Sequence, residues 1–556
     1  MTPRRWVLLC AALLFLWQLG SRDLWAPDEP YFAEGAREMI IDGRWVVPHV
    51  NGVVTPDKPP LFFWLIALFS LPTGVVTPFT ARLPSVLASL GTLALVMRLG
   101  ERWFGGRTAA LAGAMLATTV LFWNKAIWSQ TDALLCFWIW LALSAFDAWR
   151  SGTSGARNAG LLFWIAAALA VLTKGPVGFL LPLGITICVL VWDRGVGRWR
   201  SFAPISGPAL FVAILGSWVV LTEVAGPADY SVWTALQDHF INRGIQGMHH
   251  KQPPWYFLET LPGNLLPWTG LIPGALVLAW RRRLRADRFL FTVAAFVLLF
   301  FSISTEKREL YALPAFPAFA LMVAALVAAV CGWCEVCEEG GDEGNFEPHR
   351  RWVTLGHGFV AGLLIVMSVA IGVLANRSPE LAYGPFLLVA ATLAGTGLAV
   401  FFFLRHKRVL PAVLAPAVGM ALTYLLAVWL IAPVFEPSKS ARPFSLEIKA
   451  VTEGSRAAGL PVVAYGLGNL PEHFAFYSDG VYTVETDDLD ELRRHLERPE
   501  NVFAVAHGGR LAALPSDLAA RLHVVEETRL ARRDVWLIAN HDRAGARRFF
   551  AVPGPD

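Results

Sequence analysis

Two acidic side chains in succession, Asp28 and Glu29, stand just before a proline and a stretch of helical periodicity. A carboxylate pair at such a place can accept a proton or orient a hydroxyl. The same pair also caps a helix and complements its dipole, and spacing alone leaves both readings open. Downstream, Asp57-Lys58-Pro59-Pro60 sets an ammonium where the chain turns apolar. Such a lysine either snorkels as a membrane-surface anchor or holds a phosphate. His249 and His250 form a polar pair in a loop, and Cys331, Cys334 and Cys337 show metal-like spacing. A zinc or iron–sulfur site needs four well-placed ligands; a fourth is missing nearby, so these cysteines read as helix-end packing.

The segment that positions Asp28 and Glu29 is predicted to be a helix. Pro30 suits a first turn, and Phe32, Gly35, Ala36, Met39 and Ile40 then recur at helical spacing, with Glu34, Arg37, Glu38 and Asp42 elsewhere. That pattern predicts a helix lying on a membrane surface. It belongs to a first loop over 23–82, a length that needs a reason in a compact fold.

The rest of the chain explains which membrane is meant. Of 556 residues, 55% are hydrophobic and only 16% charged, which excludes a string of soluble domains. The 47 basic and 43 acidic groups leave a net charge of only +4, and with no basic tail there is no case for a nucleic-acid partner. The 23 tryptophans suit many helix ends at headgroup level. Apolar runs long enough to cross a hydrocarbon core predict about thirteen spans: 6–22, 83–97, 108–123, 132–149, 158–173, 175–192, 203–222, 264–280, 289–304, 310–330, 352–374, 384–404 and 409–431. The run 59–81 is interrupted by Pro72 and Gly74 and is predicted to be interfacial or re-entrant. Arginine-rich loops such as 281–288 then all fall on one side, as the positive-inside tendency requires. This places the N-terminus in the cytoplasm and the C-terminus outside.

Beyond Glu436 short apolar runs at 462–465, 481–484, 502–505 and 535–539 alternate with helix-like stretches such as 487–496. They predict a small outward α/β domain. The predicted organisation is therefore an α-helical polytopic membrane domain over 1–433, including the first loop, followed by an extracytoplasmic α/β domain over 434–556. None of the six cysteines lies beyond Cys337, so that domain holds no disulfide. It also lacks a glycine-rich phosphate loop. The acidic 331–350 connector reads as a flexible cytoplasmic loop.

The ordered block DEPYFAEGAREM, then DKPPL, resembles the signature of polyprenyl-phosphate-dependent glycosyltransferases of the 4-amino-4-deoxy-L-arabinose transferase type, relatives of the protein O-mannosyltransferases in the GT-C superfamily. SQTDALL around Asp132, LTKGPVG around Lys174, the stretch from Asn242 to Trp268 and FSISTEKRELYALP agree with it. The resemblance covers roughly residues 1–435. It implies that Asp28, Glu29 and Asp132 are catalytic carboxylates and that Lys58, Lys174, Arg243, Lys307 and Tyr311 hold the carrier phosphate. It further implies that His249, or His250, with Asp57 can hold a divalent metal, the one cofactor the resemblance leaves open. Three features depart from the pattern: Asp57 replaces a glutamate, Pro30-Tyr31-Phe32 supplies no cation after the acidic pair, and Glu306-Lys307-Arg308-Glu309 is unusually charged.

The activity so implied is transfer of a sugar, with inversion, from an undecaprenyl-phosphate-type carrier to lipid A or another envelope glycan at the periplasmic face of a bacterial inner membrane. Transfer to protein, O-chain or N-linked glycans is the alternative acceptor choice. A flippase for lipid-linked sugars is the alternative class, but it would be expected to carry midplane charges and repeat symmetry. Here the ionisable groups gather toward one face beside a long loop.

Overall fold

A computed structural model describes residues 2–55, 58–153, 155–195, 202, 205–227, 230–233, 251–333, 347–377, 383–468, 470–481, 483–530, 533–542 and 547–548. Two compact units emerge. One comprises Met1–Leu19, Pro56–Phe62 and Arg82–Val434; the other comprises Gly20–Thr55, Phe63–Ala81 and Phe435–Asp556.

The first unit is a multi-span membrane bundle. Among the described residues, eight helices are long and apolar enough to cross a bilayer, and a ninth arises if Tyr256–Asn264 and Thr269–Arg282 count as one bent span. Apolar helices occur at each predicted span, several of them short or broken. The predicted 108–123, for example, is Gly106–Ala117 followed by Val120–Ala126. The break falls at Thr118 and Thr119, whose hydroxyls bond back to Ala114 and Met115 carbonyls, the competition that bends helices. Helix Phe316–Val330 is buried along almost its whole length and forms the centre of the bundle. Away from the site residues, Asp147 accepts from Arg102 and Arg150, and Asp193 pairs with Arg150 and Arg288, tying four helix ends together.

The second unit joins the first loop to the C-terminal domain. Its loop helix, Asp28–Asp42, carries acidic residues in the first turn and ends at Gly43, whose φ of 70° makes the left-handed C-cap that glycine supplies without strain. Phe32, Gly35, Ala36 and Met39 are buried as the periodicity predicts. The expectation of a surface helix is corrected, however, because Glu29, Glu34 and Glu38 are at most 1% exposed. The polar face is covered as well, by the short helix Glu472–Ala475 and by a hairpin of β1 (His49–Val50) and β2 (Val53–Val54). Phe63, in helix Leu61–Ser70, fits against Gly35 so closely that a Cβ there would lie 2.5 Å from the ring. That helix has ten residues, about 15 Å and so about half a hydrocarbon core.

The C-terminal sheet has strand order β4-β3-β5-β7-β6-β8, with β3 Val462–Tyr465, β4 Thr483–Thr486, β5 Phe503–His507, β6 His523–Leu530, β7 Arg533–Ala539 and β8 Arg547–Arg548. β3 is parallel to β4 and β5; the remaining pairs are antiparallel. β3 is buried on both faces and apolar throughout, as a central parallel strand must be. Val462 and Ala464 pack with Phe444, Ile448 and Phe474, while Val463 and Tyr465 pack with Leu492 and Leu496. The tip of the hairpin is fixed to this sheet by Asn51, whose amide donates to the Thr483 carbonyl at 2.9 Å and accepts from the Thr483 N–H at 2.9 Å.

Candidate active site

In the loop unit the acidic residues differ in what they are given to do. Glu29 accepts from both guanidinium nitrogens of Arg22, one at 3.2 Å, and from the Trp25 N–H at 3.0 Å. With Glu29 0% and Arg22 8% exposed, this is a buried charge-assisted clamp. Glu34 accepts from Arg37 at 2.7 and 2.6 Å. Glu38 accepts from the Gly52 N–H at 3.1 Å. Burial, and then the nearby Glu34 carboxylate, push the Glu38 carboxyl up to about 8, so it holds its proton at neutral pH. Asp28, half-buried at the start of the helix, lies within electrostatic range of His473. Of the predicted acidic pair, then, Glu29 braces the loop, while Asp28 stands half-buried in the first turn of the helix.

The membrane unit gathers cations. Asp132 is in the first turn of helix Thr131–Arg150, and Lys174 ends helix Ala156–Lys174. Each charge complements its own helix dipole, and the two form an ion pair. The Lys174 ammonium also sits 5.0 Å over the ring of Tyr311, a cation–π geometry. Tyr311, in turn, is within electrostatic range of Asp132, Arg308, Glu306 and Lys58. Four chain segments thus bring Lys58, Asp132, Lys174 and Tyr311 together. Lys58, Lys174 and Arg308 there face two carboxylates, Asp132 and Glu306. Such a set can hold an anion against the edge of the apolar bundle.

Lys307 is placed differently from the expectation that it binds carrier phosphate. The residue is buried, and its ammonium donates to the carbonyls of Gln252, at 2.9 Å, and Ser304. Beside it, Lys251 and Glu306 form a backbone bridge. Desolvation lowers the Lys307 pKa. Its donors brace a turn, and the neighbouring half-buried Arg308 takes the place near Tyr311. The sequence signal was available: two adjacent cations after a span point to opposite sides of an extended chain.

Asp57, Arg243, His249, His250, Cys334 and Cys337 lie outside the described residues, and so does the acidic part of the 331–350 connector. Among the described residues no cluster of three or more His, Cys, Asp or Glu side chains can hold a metal.

Residues 57–221 match the dolichyl-phosphate-mannose-protein mannosyltransferase family, which spans Lys58, Asp132 and Lys174. The crystal structure of ArnT from Cupriavidus metallidurans bound to undecaprenyl phosphate superposes with a TM-score of 0.75 at 24% identity, covering 97% of this chain and 98% of that one. Its apo state matches equally well, at 23% identity. The chain has the ArnT fold. This is an architecture of membrane helices with a C-terminal sheet domain. In sequence, the undecaprenyl phosphate-alpha-4-amino-4-deoxy-L-arabinose arabinosyl transferase of Pseudomonas aeruginosa is 31% identical over 316 residues, 55% of this chain and 56% of that protein. The Aeromonas hydrophila protein of the same name is 32% identical over 322 residues, 56% and 58% of the two chains. The matches thus span little more than half the length of these relatives.

Proposed function

We propose that the protein is an integral-membrane glycosyltransferase that moves a sugar from an undecaprenyl-phosphate carrier to lipid A. The observation that carries this reading is the convergence of Lys58, Asp132, Lys174 and Tyr311 at adjoining helix ends within a fold shared with a protein solved with undecaprenyl phosphate bound. A polyprenyl phosphate presents its anion at headgroup depth, and cations placed there stabilise the charge that develops as the glycosyl–phosphate bond breaks. The reaction is a single displacement with inversion. An acceptor oxygen bonds to the anomeric carbon, the carbon–oxygen bond to the carrier breaks, and the lipid phosphate leaves with the bonding electrons toward Lys58, Lys174 and Arg308.

In this reading Asp28 takes the proton when the acceptor is a hydroxyl, and it orients the acceptor when that is itself a phosphate, which has no proton to lose. Glu29 and Lys307 hold structure. The protein resides in a bacterial inner membrane with its N-terminus cytoplasmic and its C-terminal domain periplasmic. The direct test uses protein in nanodiscs with undecaprenyl-phosphate-linked 4-amino-4-deoxy-L-arabinose and lipid A. Wild type transfers the sugar, and Asp28→Asn and Lys58→Ala each lose most of the rate. Full transfer by both variants would remove these residues from the site.

A further inference from the structure

His473 is a buried imidazole to which the proposed chemistry gives no role. It lies in helix Glu472–Ala475, which packs against the loop helix Asp28–Asp42 in the same compact unit. The side chain is 5% exposed, and its Nδ1 has no hydrogen-bond partner. A buried polar group left unsatisfied is destabilising by about 1–3 kcal/mol, so its retention asks for an explanation. The charged groups acting on the ring are Asp28 and Arg533, and Arg533 is itself held by a 3.0 Å hydrogen bond to the Leu467 carbonyl. Burial lowers the His473 pKa to about 4 against the upward pull of Asp28, and Arg533 lowers it further. At neutral pH the ring therefore carries one N–H donor and one acceptor nitrogen and no charge.

The contrast with the next residue gives this a direction. Glu29 is gripped by a guanidinium, whose two bonds occupy both carboxylate oxygens. A neutral imidazole on the helix packed against the loop helix, within electrostatic range of Asp28, can orient a carboxylate without an opposing charge. Burial, helped by Arg533, keeps that ring from becoming the imidazolium that would form an ion pair with Asp28.

We propose that His473, supplied by the C-terminal sheet domain, is a positioning residue for Asp28, turning a ring N–H toward the carboxylate and fixing its rotamer as the acceptor approaches. The proposal rests on the reading of Asp28 as the group that acts on the acceptor. It gives the C-terminal domain a part in the reaction, beyond covering the loop.

The test uses the full chain in nanodiscs with the donor and acceptor named above. His473→Phe keeps a buried ring and removes the donor; His473→Gln keeps an N–H. His473→Phe is expected to lower kcat roughly tenfold to a hundredfold, the scale of a misplaced catalytic group. KM for the lipid donor and the melting temperature should stay near wild type, and His473→Gln should recover most of the rate. In the Asp28→Asn background, His473→Phe should cost nothing more, because residues acting as a unit are not additive. Unchanged kcat in His473→Phe, or an equal loss in both backgrounds, overturns the proposal. Wild type that transfers no sugar overturns the transferase reading instead. In that event the contact is read by 15N shifts of labelled histidine at neutral pH, which report the tautomer. The His473 signals move in Asp28→Asn if the two groups are coupled, and identical spectra would end the proposal.

Discussion

The loop helix and the cluster around Tyr311 solve opposite problems with buried charge. Around the loop helix, Glu29 and Glu34 each take a guanidinium from within their own unit, and Glu38 keeps a proton. In the membrane unit the carboxylate–ammonium pair Asp132–Lys174 sits against the Tyr311 ring with further cations in range. One arrangement is closed and braces a scaffold. The other has more positive than negative charge and suits an anionic guest. Buried ion pairs are weak evidence for stability as such, so the difference is one of purpose: removing a partner from the closed set should cost folding, while removing one from the open set should cost chemistry.

The largest effect expected on that contrast is at Arg22. Arg22→Ala strands a fully buried Glu29 carboxylate and should destabilise the loop unit by about 3–5 kcal/mol, read as earlier proteolysis of the first loop. Arg22→Met combined with Glu29→Gln should restore most of the resistance. If Arg22→Ala is as stable as wild type, the closed set is misdescribed. Next is Lys174→Met, which should lower kcat/KM for the lipid-linked donor by about 10²–10³, the scale for one preorganised group facing developing charge. Its melting temperature should fall far less than that of Arg22→Ala.

Glu38 sharpens the contrast through pH. Below its ordinary value near 4.5 both folded and unfolded chains carry the proton. From there up to about 8 the folded chain holds a proton that the unfolded chain releases, so stability falls as pH rises through that window. Glu38→Gln cannot ionise and should flatten the decline between pH 5 and pH 8, worth about 3–4 kcal/mol at most, in melting curves across that range. The smallest effect separates two neighbours. Arg308→Ala should raise KM for the donor roughly tenfold, about the worth of one charged hydrogen bond. Lys307→Ala should show its effect mainly in melting temperature, since its ammonium is engaged by backbone carbonyls. The reverse pattern would return Lys307 to the phosphate site.

Much of this was legible in the chain itself. Long charge-free runs announce membrane helices because nothing else tolerates that composition, and β3, β5 and β7 announce themselves by short apolar runs. β6 was missed, because HVVEETRL keeps its charged residues on an exposed strand and breaks the apolar signal. Lys58, Asp132, Lys174 and Tyr311 were found through ordered motifs, and their ionisable character near helix ends gave them physical weight. What sequence cannot supply is the partner of a buried carboxylate. The periodicity of the loop helix separated an apolar face from an acidic one correctly, yet predicted the acidic face to be wet. Its cover comes from Asn51 bonding to Thr483 and from Glu472–Ala475, residues more than 400 positions away. For the same reason His473 gave no signal: a lone histidine in LPEHFAF is unremarkable until the loop helix lies beside it.

The central claim is transfer of a lipid-carried sugar at these residues, and mass spectrometry of envelope glycolipids tests it most directly. Lipid A from cells carrying the wild-type protein, the Lys58→Ala variant, the Asp28→Asn variant and no protein would be compared. The account predicts a sugar-sized mass on lipid A with wild type alone. The same lipid A profile in all four strains would contradict it.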